Sequence, residues 1–414
     1  MTLQPAPFFE AVNVTSSRTD VARVDPTSTV TVISSSDLLT SGPLAIDDAL
    51  KTIPGSRCFG RTSSRNSNPT SQGVALRGIG GTSPSRSLVL ADGVPLNDAF
   101  GGWVFWDKVP QAAIDRIEVD RGSGGDLYGA DALGGVVQLV TVQAEPAGGS
   151  TCWSRAAASA PAACRCLAVV VLAAGDTAAR GEWFTTDGLY SDRGEAEPRH
   201  RAARSRGLEA RIDAPLGARR SRDIRPTPDG DSTSAATSFR KIGRTERRSR
   251  STTPTSRHGS ADVTGKLAGG VFTLQGYGGT QQYHQTFTTV NALRTARSVH
   301  SRSTCAHDIR RRRGGQWVRA WGGHTLLVGA EGRYVKGKSV ETPFSQGLAL
   351  ATTAAGGTDR RKSGFVQDTW QAGNRLTIVL GAHGDTWSSK SNQTGFSKVV
   401  AGIQSARRGG ISDR

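Results

Sequence analysis

Two glycine-rich stretches are the first places where this sequence could do chemistry. A dinucleotide-binding loop has the spacing GxGxxG, whose glycines let the backbone approach a pyrophosphate. Residues 78–81 (GIGG) begin this pattern, but position 83 is Ser. Residues 122–124 (GSG) begin it again, and position 127 is Leu. Neither stretch completes the pattern, so neither predicts a nucleotide site.

The histidines and cysteines also lack the spacing of a reactive site. His284, His324 and His383 fall on probable strands without metal-ligand spacing, and we expect them on the surface or in the lumen of a barrel. The five cysteines show no repeated spacing, which argues against a disulfide framework or a zinc site. P-loop and HExxH motifs are missing from the sequence. We therefore predict no catalytic residue, no metal, no cofactor and no enzyme activity.

The formal net charge of +17 is concentrated in particular segments. A basic chain often binds nucleic acid or anionic lipid. Arginine is densest at 193–257 and 310–313, without the interleaved aromatics of a nucleic-acid site. The main interpretation therefore has no nucleic-acid partner, and a basic nucleic-acid-binding protein is kept as an alternative function.

Composition favours turn-rich β structure, with 51 glycines and 36% hydrophobic residues in 414. The sequence contains no run of 18 apolar residues, so it predicts no membrane-spanning helix. Residues 1–27 are predicted to be an extended lead, without the basic and apolar regions of a signal peptide. Within this lead, Glu10 to Thr15 is a short β-prone segment. Such a segment can add to a partner's sheet, or it can be a frayed terminus.

The elements that would position any site are clearest at residues 28–143. The sequence predicts a strand at 29–33, and a helix whose apolar face is Ile46, Ala49, Leu50 and Ile53. Residues 61–72 are predicted to be an exposed loop. Strands are predicted at 87–91, at 117–120 with only one face buried, and at 136–142, with a tight turn at Asp92-Gly93. The fold class expected here is a small α+β domain with a mixed sheet.

Residues 144–414 alternate between two kinds of sequence. Strand-like segments occur at 181–187, 261–290, 316–335 and 364–387. Segments rich in Arg, Ser, Ala and Pro interrupt them near 150–180, 190–258 and 293–314 and at the C-terminus. We interpret the interruptions as frame disruptions in a GC-rich gene, with genuine disordered loops as the alternative.

The N-terminal domain closely resembles the plug domain of TonB-dependent outer-membrane receptors over about residues 10–143. The similarity is carried by upstream VTVISSSDL and IDDALKTIPG, by Pro110 and by four further segments. These are LRGIGG at 76–81, VLADGVPLND at 89–98, IDRIEVDRG at 114–122 and LYGADALGGVVQLVT at 127–141.

The resemblance implies a plug inside an antiparallel transmembrane β-barrel of about 22 strands. It implies a TonB box at Glu10, Ala11, Val12, Asn13, Val14 and Thr15, which would bind the TonB-type periplasmic energy-coupling protein. Outer-membrane lipid and an iron-chelate (ferric siderophore), haem or cobalamin ligand are the other implied partners, and the cell outer membrane is the implied location. The plug turn motifs that match the family are Gly78, Asp92, Gly93, Gly122, Gly129, Gly134 and Gly135.

The resemblance also makes Arg77 and Arg121 candidates for ion pairs between plug and barrel. A plug must be held firmly yet releasably, and pairs between arginine and carboxylate suit that task. The alternative is that these arginines pair within the plug, with Glu118 or Asp120.

The barrel implied by residues 144–414 is incomplete, because their length holds about half of the expected strands. We therefore predict a truncated receptor for energised uptake. A non-transporting remnant in which only the plug folds is the alternative.

Overall fold

The computed structural model describes two parts of the chain. In the N-terminal domain it describes residues 29–40, 45–59, 64, 69–79, 86–109, 111–122 and 124–141. In the second part it describes residues 149–155, 166–174, 177–186, 208–210, 218–221, 231–240, 252–290, 297–345, 348–373, 376–398 and 404–409. The predicted TonB box at Glu10 to Thr15 lies outside the described residues, as does Pro110.

The N-terminal domain is built around a five-stranded mixed sheet of order β1-β6-β7-β4-β5, with a separate β2-β3 pair. Strands β4 and β7 are parallel, and the other pairs are antiparallel. The strands are β1 Val30–Ser34, β2 Ser56–Phe59, β3 Gly73–Leu76, β4 Leu88–Ala91, β5 Val94–Pro95, β6 Ile114–Asp120 and β7 Val136–Thr141. The helices are α1 Ser35–Thr40, α2 Ile46–Leu50 and α3 Gly125–Tyr128, with 3-10 turns at Pro69–Ser71, Trp106–Lys108, Gln111–Ala113 and Gly129–Ala132.

The core of this domain lies between α2 and the sheet. The predicted apolar face of α2 is buried at Ile46, Ala49 and Leu50, and Ile53 joins it. These side chains belong to one cluster with Ile117 and other inward residues of β4, β6 and β7. Full burial of such a side chain contributes about 1.5–3 kcal/mol. This cluster therefore lets the domain keep its own shape while it contacts other parts of the chain.

The structure corrects three expectations for this domain. Residues 61–72 are not wholly exposed, since Ser64 and Gln72 are buried and Ser64 hydrogen-bonds the Asp47 carboxylate. Strand β6 is not half-buried with its acids outside, because Glu118 is fully buried and accepts a 2.9 Å hydrogen bond from Arg116 Nε. Gly125, which together with Gly122 and Gly124 predicts a tight loop, instead begins the short helix α3.

The second part of the chain is a single curved sheet of 14 strands, here called the wall. All of its paired strands are antiparallel, with order β21-β20-β19-β17-β16-β15-β14-β13-β12-β10-β9-β8 and side pairs β11 with β10 and β18 with β17. The first seven strands are β8 Gly149–Arg155, β9 Cys166–Ala174, β10 Thr177–Thr186, β11 Leu208–Ala210, β12 Ala218–Ser221, β13 Asp231–Arg240 and β14 Thr252–Leu267. The other seven are β15 Gly270–Val290, β16 Arg297–Trp321, β17 His324–Ser345, β18 Leu348–Ala349, β19 Ala351–Gln371, β20 Thr377–Lys398 and β21 Gln404–Gly409.

The long wall strands present apolar side chains on both faces. Leu327 and Phe365 are buried against the N-terminal domain, while the next residues, Val328 and Val366, are exposed on the other face. This period of two residues is what a strand between a filled lumen and lipid requires. Among the described residues, no helix is long and apolar enough to cross a bilayer.

The predicted fold class is confirmed, because an α+β domain is followed by a partial antiparallel barrel sheet. The predicted strand-like segments 261–290, 316–335 and 364–387 lie in the long strands between β14 and β20. The Arg-rich residues 310–313, predicted to be disrupted, lie inside β16. In the described residues the sheet ends at β8 and β21, so the wall remains open between these strands.

Candidate functional site: the contact between the N-terminal domain and the wall

Among the side chains that the structure describes, those joining the N-terminal domain to the wall fall into two regions, and the 3-10 turn Gln111–Ala113 also lies near β10. We call the first the ionic flank, where Asp126 and Asp131 meet side chains of β17 and β19. We call the second the glutamine flank, where Gln275, Gln281 and Gln285 of β15 reach the domain. Strand β16 lies between β17 of the ionic flank and β15 of the glutamine flank.

Arg361 is the centre of the ionic flank. Its Nη1 donates to Asp131 Oδ2 of the N-terminal domain at 2.7 Å. Its Nε and Nη2 donate to the two oxygens of Asp385 on β20 at 3.0 and 2.8 Å. A guanidinium that binds a carboxylate through two parallel bonds is held in a fixed orientation. Asp385 therefore orients Arg361 toward Asp131.

Two further wall residues complete this network. His383 Nε2 lies 3.2 Å from Asp385 Oδ1, and its side chain is 6% exposed. Arg333 Nη1 on β17 lies 3.7 Å from Asp131 Oδ2. The domain thus places one carboxylate between two wall arginines. The predicted ion pairs have the opposite arrangement, with the arginines on the domain and the carboxylates on the wall.

Gly129 allows the domain backbone to approach this network closely. It follows α3 with φ +67° and ψ −155°, a conformation available essentially to glycine alone. A Cβ atom at this position would lie 2.6 Å from Asp385 Oδ2 and 2.8 Å from His383 Nε2. The backbone conformation therefore requires glycine, and a Cβ atom here would also displace the ends of the Asp385 and His383 side chains.

Apolar packing reinforces the ionic flank. Leu88, Leu90, Leu127 and Tyr128 of the domain form one buried cluster with Leu327 and Phe365 of the wall. Beside this cluster, Gln367 Nε2 donates to Asp126 Oδ2 at 2.7 Å. The ionic flank therefore combines burial with charged hydrogen bonds.

The glutamine flank follows one strand. Gln275 Nε2 donates to the Asp92 carbonyl at 3.0 Å, and Gln285 Nε2 donates to Thr70 Oγ1 at 3.1 Å. Between them, Gln281 Nε2 donates to Asp98 Oδ2 at 2.7 Å. The other Asp98 oxygen accepts from the backbone N–H groups of residues 100 and 101. One carboxylate therefore closes a loop of the domain and attaches that loop to β15.

A buried lysine lies behind the glutamine flank. Lys108 Nζ donates to the Leu96 carbonyl at 3.4 Å and lies 5.1 Å from the Phe105 ring centroid. Desolvation by burial lowers the pKa of Lys108 to about 8, against the opposing attraction of Asp98. Phe105 packs in turn with Tyr283 and Cys305 of the wall. This region therefore holds a poorly solvated cation beside an aromatic contact.

The two predicted lock arginines occupy other positions. Arg77 is exposed, has φ +54°, and donates its backbone N–H to the Gly55 carbonyl. Arg121 donates from Nη1 to the Pro54 carbonyl at 3.0 Å and from Nη2 to Thr31 Oγ1 at 3.2 Å. These Arg121 bonds lie within the N-terminal domain, so an ion pair between Arg77 or Arg121 and the wall stays a prediction.

The predicted turn residues adopt the conformations of tight turns. Asp92 and Gly93 have φ +46° and +78°, and the Asp92 carboxylate accepts from the Thr141 backbone and hydroxyl. Gly122 donates its N–H to Asp120 Oδ1. Of the remaining predicted turn glycines, Gly78, Gly129 and Gly135 have positive φ, and Gly134 donates to the Arg86 carbonyl.

The residues that join the domain to the wall are not predicted from the sequence. Asp131 lies in the segment 127–141 that matches the family, Gln367 lies in a strand-like segment, and Arg361 lies just before that segment. One signal was available, because Arg361, Phe365 and Gln367 are separated by even numbers and so share one face of β19.

The family model that describes the TonB-dependent receptor plug domain matches residues 22–136. Residues 22–136 are a TonB-dependent receptor plug domain. The N-terminal domain is accordingly called the plug from here on. The vitamin B12 transporter BtuB of Vibrio vulnificus (strain CMCP6) is 33% identical over 141 residues. That match covers 34% of this chain and 22% of the transporter.

Solved receptors share the fold of both the plug and the wall. The ferric yersiniabactin uptake receptor FyuA from Yersinia pestis aligns with TM-score 0.68 and 14% identity, over 93% of this chain and 60% of that one. The siderophore receptor PirA from Acinetobacter baumannii aligns with TM-score 0.60 and 16% identity, over 90% and 59%. The chain therefore spans about three fifths of the length of these receptors. The matched proteins are transporters and receptors, in agreement with the prediction that this chain is not an enzyme.

Proposed function

We propose that this protein is an outer-membrane receptor that takes up a scarce ligand by means of energy delivered through TonB. The observation that carries the proposal is a plug domain attached by side-chain contacts to a curved wall of antiparallel strands. Such contacts hold a plug in place, yet each can be exchanged for water when the plug is pulled. The plug is then a gate, and no bond of the ligand changes.

Energy would reach the plug through the segment Glu10 to Thr15. A short β-prone segment can pair with the edge of a partner's sheet through its backbone, which suits a bond that must form and break repeatedly. The proposed partner is therefore the TonB-type periplasmic energy-coupling protein.

The proposed ligand is a ferric siderophore, haem or cobalamin. The relatives matched by sequence include vitamin B12 transporters, and the solved structures include those for ferric yersiniabactin and ferric citrate. All of these are large, scarce solutes, which need an energised receptor because they enter small pores poorly.

Binding to TonB tests this proposal most directly. Full-length protein in outer-membrane vesicles should retain the purified periplasmic domain of TonB, and Val12→Pro should abolish retention, since proline removes a backbone N–H from the pairing strand. Ala6→Pro is the matched control, because it changes the same lead outside the proposed box. Equal retention by both variants, or none by the unmodified protein, would contradict the proposal.

A non-transporting remnant is the second candidate function, favoured by the wall that stays open between β8 and β21 in the described residues. An open sheet edge is unfavourable in lipid. Fractionation with the outer membrane and a heat-modifiable band on electrophoresis would support the receptor. A soluble fragment that proteases trim to the plug would support the remnant.

A further inference from the structure

The lumen face of β15 has a chemistry different from the rest of the plug contact. Residues with odd numbers point toward the plug on this strand, and among them are Gln275, Tyr277, Gln281, Tyr283 and Gln285. We call these five residues the amide–tyrosine strip. No member of the strip carries a charge at neutral pH, whereas the ionic flank is built from arginine, aspartate and histidine.

The contacts made by the strip are weaker than those of the ionic flank. Two of its described hydrogen bonds to the plug, those of Gln275 and Gln285, join neutral groups. A third, from Gln281, binds the carboxylate of Asp98. Hydrogen bonds with an ionised partner are roughly twice as strong as neutral ones. The buried ammonium of Lys108 adds a desolvation cost on the same side of the plug.

The ionic flank resists separation for three reasons. Arg361 binds both Asp131 of the plug and Asp385 of the wall. Pulling the plug away would leave Arg361, whose side chain is 18% exposed, short of one partner, which is costly in a partly solvated site. The apolar cluster around Leu127 and Phe365 would also become exposed to water.

We propose that the plug separates from the wall along β15 while it stays attached at the ionic flank, so that solute passes over the amide–tyrosine strip. This inference rests on the proposed function, because it places the passage that such a receptor needs. The strip offers amide and phenol groups, which can exchange hydrogen bonds with a moving solute without trapping it by charge. The passage along the strip would therefore suit a large solute rich in amide and hydroxyl groups.

Two buried thiols placed on the two flanks test the order of separation. Cys305 is 7% exposed and packs with Phe105 and Tyr283 beside the strip, so it reports on β15. Ser363 is 8% exposed on β19, and Ser363→Cys is nearly isosteric there. One protein keeps Cys305 alone, with the other four cysteines replaced by serine. The second carries Ser363→Cys and Cys305→Ser in that background.

Both proteins, in outer-membrane vesicles, are treated with a maleimide at urea concentrations that leave the barrel band intact. After correction by the rates in denatured protein, Cys305 should react at least about tenfold faster than Cys at 363, which corresponds to about 1.4 kcal/mol. Equal rates, or a faster reaction at 363, would overturn the proposal. Hydrogen exchange of peptides from β15 and β16 should stay slow, and fast exchange there would instead show fraying of the wall.

A double variant, Asp126→Asn with Asp131→Asn, supplies the matched control. It should speed labelling at 363 by roughly tenfold and leave the rate at Cys305 unchanged. An unchanged rate at 363 would show that these carboxylates do not hold the flank. Labelling requires neither ligand nor TonB, so a receptor that failed to bind TonB would refute the proposed function without deciding this inference.

Discussion

The Asp131 carboxylate of the plug lies 2.7 Å from the Arg361 guanidinium of the wall, although 230 residues separate them in the chain. Asp385 holds Arg361 from the other side. The plug therefore supplies the anion and the wall supplies the cation at this contact. Because Arg361 has two carboxylate partners, its bond to Asp131 can break while its bonds to Asp385 remain.

Removal of Arg361 should loosen the plug. Arg361→Ala leaves Asp131 and Asp385 without their shared partner, and loss of one member of such a pair costs about 2 kcal/mol when the site is partly solvated. We expect the plug to become sensitive to protease at lower urea concentration. Arg360→Ala is the control, since Arg360 lies over the Tyr334 ring at the next position of β19. The same shift in both variants would contradict a specific role for Arg361.

Substitution of Gly129 should be more harmful than substitution of Gly78. Both have positive φ, of +67° and +71°, but a Cβ atom at Gly78 would meet nothing within 4 Å. Gly78→Ala should cost about 1 kcal/mol for backbone strain, and Gly129→Ala at least about 2 kcal/mol, since it also displaces Asp385 and His383. Urea unfolding of both variants measures the difference. A Gly129→Ala protein as stable as Gly78→Ala would mean that plug and wall do not approach at this point.

Replacement of Lys108 should stabilise the plug. Its pKa is about 8 in the folded protein and 10.5 when unperturbed, because burial disfavours the charged form. Lys108→Met removes this penalty, so the free energy of unfolding at pH 7 should rise by up to about 3 kcal/mol. The loss of the weak bond to the Leu96 carbonyl reduces the gain.

The same lysine predicts the pH dependence of stability. Between pH 8 and 10.5 the unfolded chain holds the Lys108 proton while the folded protein has released it. The unfolded state then binds more protons, so this group makes stability rise with pH across that window. The rise should be missing in Lys108→Met. We would measure the difference in urea midpoint between the two proteins, and a difference that stays constant from pH 7 to pH 10.5 would refute this prediction.

The bond between Ser64 and Asp47 should matter for the plug fold. Both oxygens of the buried Asp47 carboxylate accept from Ser64, one from its N–H and one from its hydroxyl. Ser64→Ala removes the hydroxyl partner and should destabilise the plug by about 1–3 kcal/mol. Ser36→Ala is the control, because Ser36 is exposed. Circular dichroism during urea unfolding compares the two, and equal midpoints would contradict the prediction.

Sequence reasoning recovered those features of the plug that local patterns determine. The apolar face of α2, the Asp92-Gly93 turn and the strands β4 and β7 follow from helix period, turn chemistry and β propensity. Burial of Glu118 and Ser64 could not be predicted, because it depends on Arg116 and Asp47, partners brought near by the tertiary fold. The contact of Asp131 with Arg361 was equally hidden, since strand patterns give the face of a residue and not its partner across the lumen.

The length of the wall strands sets how far the barrel rises above the plug. On β17, Arg333 forms an ion pair with the plug, and the strand continues to Ser345. Twelve residues at about 3.3 Å each, tilted by roughly 40°, extend about 30 Å beyond this ion pair. The strands β16 and β17 are joined by a short turn at residues 322–323, below the plug contacts. Short turns face the periplasm in outer-membrane barrels. In the receptor proposed above, the plug would then lie at the floor of a vestibule open to the outside, and a ligand would meet the barrel rim before it reached the plug.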